Sequence, residues 1–436
     1  MGIDSIFIII IFILSIIGMF VCILKYPKLK IKNFQMDTFF ICPLIGAIII
    51  LFINNNFSVF WNSITSNTSL NPLKILILFI SISFISITLD ESGFFKYISS
   101  LFVSKYKSSQ FKLFTVLYIL ISILTVFTSN DIVILTFTPF ILYLSKRGNI
   151  NPIPYLVMEF VAGNTYSMML EIGNPTNIYL SGGFNIPFLD YFIKMIVPTL
   201  VIGISSYFLL LLLFRKSLKE KINVFDLEIS KINDKPLCIV SGSILAITTI
   251  LLAISNYINL EMYIICSVSA GLLLLFLIIY GLTNKKKETL INPVKRVPYS
   301  LIPFVLSMFI LVIGLNSFNL FTNIGNEINK IDNKYLENIV YLISSTLSCN
   351  IINNIPMTLA YANILENTNH ISNIYSTIIG SNLGALLTPI GALAGIMWLR
   401  ILKENDIKYS FLDFMKNGVI ITGFTLSVSI LMLLII

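Results

Sequence analysis

Long apolar runs, most of them near twenty residues and separated by short segments holding most of the lysines and arginines, constrain this chain more than any other feature. About 20 apolar residues in a helix cross the hydrocarbon core of a bilayer, and inside a bilayer every backbone polar group must be satisfied by the segment itself. The pattern therefore predicts an all-α polytopic membrane protein. Composition agrees: 56% of the 436 residues are hydrophobic and only 11% are charged, more apolar surface than a soluble chain of this length buries.

The same numbers exclude other classes. The net charge of +8 comes from loop residues, as expected of cytoplasmic loops, and argues against a nucleic-acid groove. The five cysteines stand singly, without CxxC spacing, so neither a disulfide framework nor a zinc site is expected. One histidine, His370 in a polar stretch, leaves no HExxH site and no Ser/His/Asp hydrolase. Most enzyme readings fall with it, and no cofactor is expected.

Placing basic loops inside the cell gives the topology. The run at 3–24 is read as a first span rather than a cleaved leader, because its lysines follow it. The apolar stretch at 113–144 is interrupted at Thr128-Ser129-Asn130-Asp131 and ends at Lys146-Arg147. Drawn as a re-entrant hairpin it keeps that basic pair inside. The stretch at 152–183 is broken at Gly163-Asn164-Thr165 and again at Gly173-Asn174-Pro175-Thr176-Asn177. Unwound backbone at membrane depth survives only where protein or a watery cavity satisfies it, so such breaks point to a site.

The second part of the chain repeats this order, with breaks at Asn350, at Asn353-Asn354-Ile355-Pro356, at Gly380-Ser381-Asn382 and at Leu387-Thr388-Pro389. One offset of 223 residues carries Phe188-Leu189-Asp190 onto Phe411-Leu412-Asp413, Asn130 onto Asn353 and Asp131 onto Asn354. The charge rule makes the two hairpins enter from opposite sides, which defines an inverted-topology repeat. The expected organisation is a first repeat at 1–214, with peripheral spans in 1–89, hairpin and broken helix at 111–183 and a span at 188–214. A cytoplasmic linker at 215–236 follows, then a second repeat at 237–436 with hairpin 339–366, broken helix 371–402 and span 411–436. Both termini are expected outside.

The motifs Leu89-Asp90-Glu91-Ser92-Gly93-Phe94-Phe95, Asn130-Asp131 with Leu135 and Thr138-Pro139, Asn174-Pro175-Thr176-Asn177-Ile178, Asn353-Asn354-Ile355-Pro356, Leu383-Gly384, Thr388-Pro389-Ile390-Gly391 and Trp398-Leu399 together resemble the arsenite efflux permease (ArsB) family of the ion transporter superfamily. The resemblance runs through most of both repeats. It implies a plasma-membrane carrier that exports arsenite or antimonite in exchange for protons, alone or with an ATPase subunit, as a homodimer with an elevator-type movement. This chain has Asn164 and Asn382 where the family pattern carries aspartates, which removes two ionisable groups. Superfamily relatives that carry di- or tricarboxylates, or exchange sodium for protons, are the alternative.

An ionisable side chain at membrane depth is costly, at least about 2.5–3.5 kcal/mol on insertion scales, and persists mainly in a pathway. Asp131 at a hairpin tip is the first candidate for proton coupling, followed by Glu159 and Glu171, while Asp90 and Glu91 read as a solvated helix end. Asn130, Asn164, Asn174, Thr176, Asn177, Asn353, Asn354, Asn382 and Thr388 are the substrate candidates: neutral donors and acceptors that replace the hydration of a polyhydroxylated solute. Neither tip and neither break carries Lys or Arg, which suits a neutral solute such as arsenous acid. Cys349 reads as a small packing residue, with a role as an arsenic ligand the lesser alternative.

Overall fold

The computed structural model describes residues 3–26, 28–31, 34–54, 57–65, 71–106, 109–220, 222, 230–255, 258–284 and 287–435. Of the linker expected at 215–236, residues 221 and 223–229 lie outside the described residues. The chain is almost entirely helical. Helices α1 (Ile3–Lys25) and α2 (Ile41–Asn54) are joined by a two-stranded antiparallel hairpin, β1 (Lys28–Ile31) and β2 (Phe34–Asp37), which the apolar pattern did not foretell. Next come α3 (Phe57–Thr65), α4 (Pro72–Glu91), α5 (Phe94–Tyr106), α6 (Gln110–Phe127), α7 (Asn130–Gly148), α8 (Ile153–Tyr166), α9 (Pro175–Gly183) and α10 (Phe188–Phe214).

The second series runs through α11 (Lys235–Ala253), α12 (Met262–Thr283), α13 (Lys287–Arg296), α14 (Leu301–Asn316), α15 (Leu320–Ile328), α16 (Lys334–Ile352), α17 (Asn354–Ile364), α18 (Ser372–Gly384), α19 (Leu393–Glu404) and α20 (Phe411–Met432). Eight helical segments among the described residues are long and apolar enough to cross a bilayer. This is an all-α polytopic membrane protein.

Packing follows one pattern in both series. Helix α6 packs on α8 as α16 does on α18, and α1 on α2 as α11 on α12. Other contacts are exchanged: α2 packs on α14 while α12 packs on α4, and α7 packs on α19 while α17 packs on α9. The arms of the hairpins and the inner halves of the broken helices thereby form one body, with α10 against α20 beside it.

Lipid tails are as apolar as leucine, so helices in a bilayer associate through close packing rather than hydrophobic exclusion. The α16–α18 crossing shows the device. A Cβ on Gly380 would lie 2.0 Å from Ser345 Oγ and 2.4 Å from the Leu342 carbonyl, and one on Gly384 would lie 2.3 Å from Cys349 Sγ. Only hydrogen fits there. Outward, α10 presents Ile193, Ile204, Phe208 and Leu212, and α12 presents Val268, Leu272, Leu275 and Ile279, all exposed and suited to lipid.

Two breaks differ from the sequence expectation. Gly163, Asn164 and Thr165 lie within α8, and Gly380, Ser381 and Asn382 within α18. Both asparagines bond back to the carbonyl one turn earlier, Asn164 Nδ2 to Phe160 at 2.9 Å and Asn382 Nδ2 to Ile378 at 2.8 Å, so the helical ladder continues past them. The chain unwinds later, between Ser167 and Asn174 and between Ala385 and Ala392.

Candidate functional site

Each hairpin turns inside the protein. Helix α6 gives way to α7 at Thr128-Ser129, both buried. Asn130, the first residue of α7, donates from Nδ2 to Asn164 Oδ1 at 3.1 Å and accepts the Asp131 backbone N–H at 2.9 Å. Between α16 and α17 the turn is the single residue Asn353, with φ 73° and ψ 154°. That region is almost reserved for glycine and costs a side-chain-bearing residue about 1–3 kcal/mol. Asn353 Nδ2 donates to the Ile390 carbonyl at 2.9 Å, which ties the strained tip to the break that follows α18 in the same series.

The unwound segments free backbone carbonyls, and asparagine amides collect them. Asn177 Nδ2 donates to the carbonyls of Ser167 at 2.8 Å and Leu170 at 3.3 Å. Asn174 caps α9 by accepting from Thr176 N at 3.2 Å. On the other side Asn350 Nδ2 donates to the carbonyls of Thr346 at 2.8 Å and Gly384 at 2.9 Å, while its Oδ1 accepts from Thr388 Oγ1 at 2.6 Å.

Asn382, on α18 just before the second break, is bonded to the first. Its Oδ1 accepts from Asn174 Nδ2 at 2.9 Å and Ser167 Oγ at 3.1 Å, and its Nδ2 reaches Asn177 Oδ1 at 2.7 Å. Asn164, Asn174, Asn177 and Asn382 are all at most 1% exposed. Asn130 reaches this cluster through Asn164, and Ser167 links them, donating to the Asn164 carbonyl at 2.9 Å. Asn353 and Thr388 belong to the opposite break, with Asn350. The buried Oγ atoms of Ser129, Thr165, Thr176 and Ser381 and the Oδ1 of Asn354 have no hydrogen-bond partner, so polar capacity is left along both tips and breaks.

The three carboxylates separate. Glu159 is fully buried on α8 and accepts from Thr138 Oγ1 at 3.1 Å. Glu171 is 1% exposed, and neither of its oxygens has a hydrogen-bond partner; the nearby Ser181 hydroxyl instead donates to the Asn177 carbonyl at 2.8 Å. Asp131 alone reaches open space. It lines a cavity of about 820 Å³ together with Ser129, Ser83, Pro389 and Ile390, and the same lining includes Lys25, Lys28, Lys295, Arg296, Arg400 and Lys403. Tips and breaks thus lack cations, while the rest of that lining does not.

Arg296 holds Asp90 at 2.8 Å and Glu91 at 2.5 Å, so these two acids form an ion-paired joint between α13 and α4 rather than a freely solvated helix end. Cys349 is fully buried and donates to the Thr346 carbonyl at 3.1 Å, wedged against Gly384. No cluster of three or more His, Cys, Asp or Glu able to hold a metal occurs among the described residues.

Sequence reasoning passed over Ser167 and used Asn350 only to mark a break. The internal repeat offers no signal for Asn350, since the 223-residue offset sets it on Phe127.

A family model described as citrate transporter matches residues 45–376. The chain belongs to the citrate transporter family. Its curated relatives within reach of this citrate transporter family member include an arsenical pump membrane protein of Escherichia coli, 26% identical over 377 residues and covering 84% of this chain and 85% of the relative. A putative arsenical pump membrane protein of Bacillus subtilis is 22% identical over 368 residues, covering 78% of this chain and 82% of its own. Among solved structures the fold is similar to the Alcanivorax borkumensis YdaH transporter, with a TM-score of 0.59 at 11% identity over 99% of this chain and 98% of that one. It is also similar to Neisseria gonorrhoeae MtrF, with a TM-score of 0.52 at 12% identity over 100% and 95% of the two chains. This citrate transporter family protein is a multi-pass membrane transporter, not an enzyme.

Proposed function

We propose that the protein exports arsenite or antimonite across the plasma membrane in exchange for protons. The observation that carries this reading is the chemistry of the tips and breaks: the neutral amide of Asn382 on α18 bonded to Asn174 and Asn177 at the first unwound segment, with no Lys or Arg in either tip or break and Asp131 as the tip carboxylate that lines the cavity. Arsenous acid is uncharged near neutral pH, so amide and hydroxyl groups suffice to replace its water. The 26% identity to an arsenical pump membrane protein supports the same choice.

In this reading Asn130, Asn164, Asn174, Thr176, Asn177, Asn353, Asn354, Asn382 and Thr388 form or brace the substrate site. Asp131 exchanges the proton, with Glu159 and Glu171 as reserve groups. The exchanged packing of the two helix series supports repeats of inverted topology, divided at the linker 215–236, whose joint body moves as an elevator within a homodimer. Both termini lie outside, and the basic residues of the cavity lining face the cytoplasm. The protein works alone or with an ATPase subunit.

A second reading is a di- or tricarboxylate permease or a sodium/proton antiporter, and Lys295 and Lys403 on the cavity lining together with the family description favour its carboxylate form. One comparison separates them. Expression in an arsenite-sensitive strain should raise resistance and lower accumulated metalloid. Unchanged accumulation with well-inserted protein, alongside uptake of citrate or succinate, would replace the first reading by the second.

A further inference from the structure

Two of the five cysteines face each other. Cys22 lies near the end of α1 and Cys42 at the start of α2, and their Sγ atoms are 3.8 Å apart. Several contacts fix this approach. The β1–β2 hairpin joins the two helices in register, Lys28 opposite Asp37 and Ile31 opposite Phe34. Thr38 Oγ1 donates to the Tyr26 carbonyl, and Tyr26 N donates to the Cys22 carbonyl at 2.9 Å, so the chain is clamped at both ends of the turn. Beside the thiols a Cβ on Gly18 would lie 2.7 Å from Cys42 Sγ. The missing side chain lets α2 close on α1. Both cysteines are free and half-buried, which leaves the pair reachable.

Trivalent arsenic is pyramidal, with bond angles nearer a right angle than the tetrahedral one, so two bonds of about 2.3 Å, the usual metal–thiolate length, bring its sulfurs to about 3.3–3.5 Å. A single such atom therefore bridges Cys22 and Cys42 once their Sγ atoms close by a few tenths of an ångström from 3.8 Å, a side-chain adjustment that leaves the helices in place. A tetrahedral cation such as zinc needs further protein ligands, and no group of three His, Cys, Asp or Glu occurs among the described residues. The pair suits a centre that exchanges only two positions and carries its third substituent with it.

We propose that Cys22 and Cys42 form a dithiol site for trivalent, monosubstituted arsenicals, outside the cluster at the helix breaks. Binding is condensation without redox change: two As–O bonds break, two As–S bonds form, and the thiol hydrogens leave with the two hydroxyls as water while arsenic stays trivalent. The site stands on the geometry of the thiols and does not depend on which solute the protein transports.

The test uses reduced, purified full-length protein and phenylarsine oxide. Intact-mass measurement should show one phenylarsenic group per chain, and maleimide labelling of Cys22 and Cys42 should be blocked together. The adduct should survive excess monothiol and yield to 2,3-dimercaptopropanol. Because two sulfurs held together act at high effective concentration, Cys22→Ser and Cys42→Ser should each weaken binding by on the order of 100-fold or more, whereas Cys238→Ser, at a half-buried cysteine elsewhere, should not change it. Unaltered affinity in either single variant, or protection of only one of the two cysteines, would overturn the proposal. Arsenite export is measured separately: its absence in the wild type with the adduct intact would count against the transport reading and leave the dithiol site standing.

Discussion

Asn382 on α18 donates to Asn177 Oδ1 on α9 across 2.7 Å, and through this bond the helix leading into one unwound segment holds the helix leading out of the other. A neutral amide can do this because it donates and accepts at once: the same side chain receives Asn174 and Ser167 on its oxygen. An ionised aspartate accepts only.

The first prediction follows from that asymmetry. Asn382→Asp keeps the acceptor and loses the donor to Asn177 whenever the carboxylate is ionised, while the protonated acid restores it. Transport by Asn382→Asp should therefore approach wild type at low pH and fall as pH rises, relative to wild type measured in parallel. A pH profile parallel to that of the wild type would show that the donor to Asn177 is dispensable.

Removing the amide altogether is a stability matter. Asn382→Leu strands the side-chain oxygen of Asn177 and the side-chain amide of Asn174, each at about 1–3 kcal/mol when left buried and unpaired, while Ser167 keeps its bond to the Asn164 carbonyl. Purified Asn382→Leu protein should unfold at clearly lower temperature than the wild type, and an unchanged midpoint would mean that the two partners find other bonds.

Coupling is tested at Asp131. It lines the cavity, and the 223-residue offset sets it on the amide Asn354, so one tip carries a titratable group and the other a fixed dipole. Asp131→Asn should abolish gradient-driven export while counterflow exchange largely survives. Full active export by a well-inserted variant would remove Asp131 as the proton carrier and direct attention to Glu159 and Glu171.

Topology can be read by labelling. Lys146 is exposed at the end of α7 and Lys330 is exposed beyond α15. Single cysteines placed there should label only from the cytoplasm and only from outside, respectively. Labelling of position 146 from outside would make α6 and α7 a true crossing and dissolve the inverted repeat.

The α16–α18 crossing gives a packing test. Gly380→Ala sets a methyl 2.4 Å from the Leu342 carbonyl and 2.0 Å from Ser345 Oγ, an overpacking that costs about 1–3 kcal/mol. Adding Ser345→Ala should not rescue it, because the backbone carbonyl cannot be trimmed. Recovery of the wild-type unfolding temperature in the double variant would place the whole clash on the serine.

Much of the site region is legible before folding. Asn130-Asp131 and Asn353-Asn354 announce interruptions because polar pairs and prolines inside apolar runs cannot be ordinary span, and Asn174-Pro175 announces the start of α9, where the asparagine caps and the proline occupies the first turn. Gly163-Asn164 and Gly380-Ser381-Asn382 misled, since glycine and asparagine read as breakers. Whether an asparagine ends a helix depends on where its amide goes, and here each bonds back one turn and forward to another element. Asn350 carried no repeat signal at all; its role comes from the Gly384 carbonyl that α18 brings to it.

The sequence by itself determined the membrane class, the helix ends at Asn130, Asn174-Pro175 and Asn353, and the absence of cations from the tips, because hydropathy, charge placement and backbone breakers act within a single segment. Tertiary structure alone decided that Asn382 clasps Asn177, that Arg296 takes up Asp90 and Glu91, that Asp131 lines the cavity while Glu159 and Glu171 are enclosed, and that Cys22 meets Cys42. Those outcomes depend on which faces of distant helices meet, and two groups 205 residues apart acquire a common hydrogen bond only when packing has fixed both backbones.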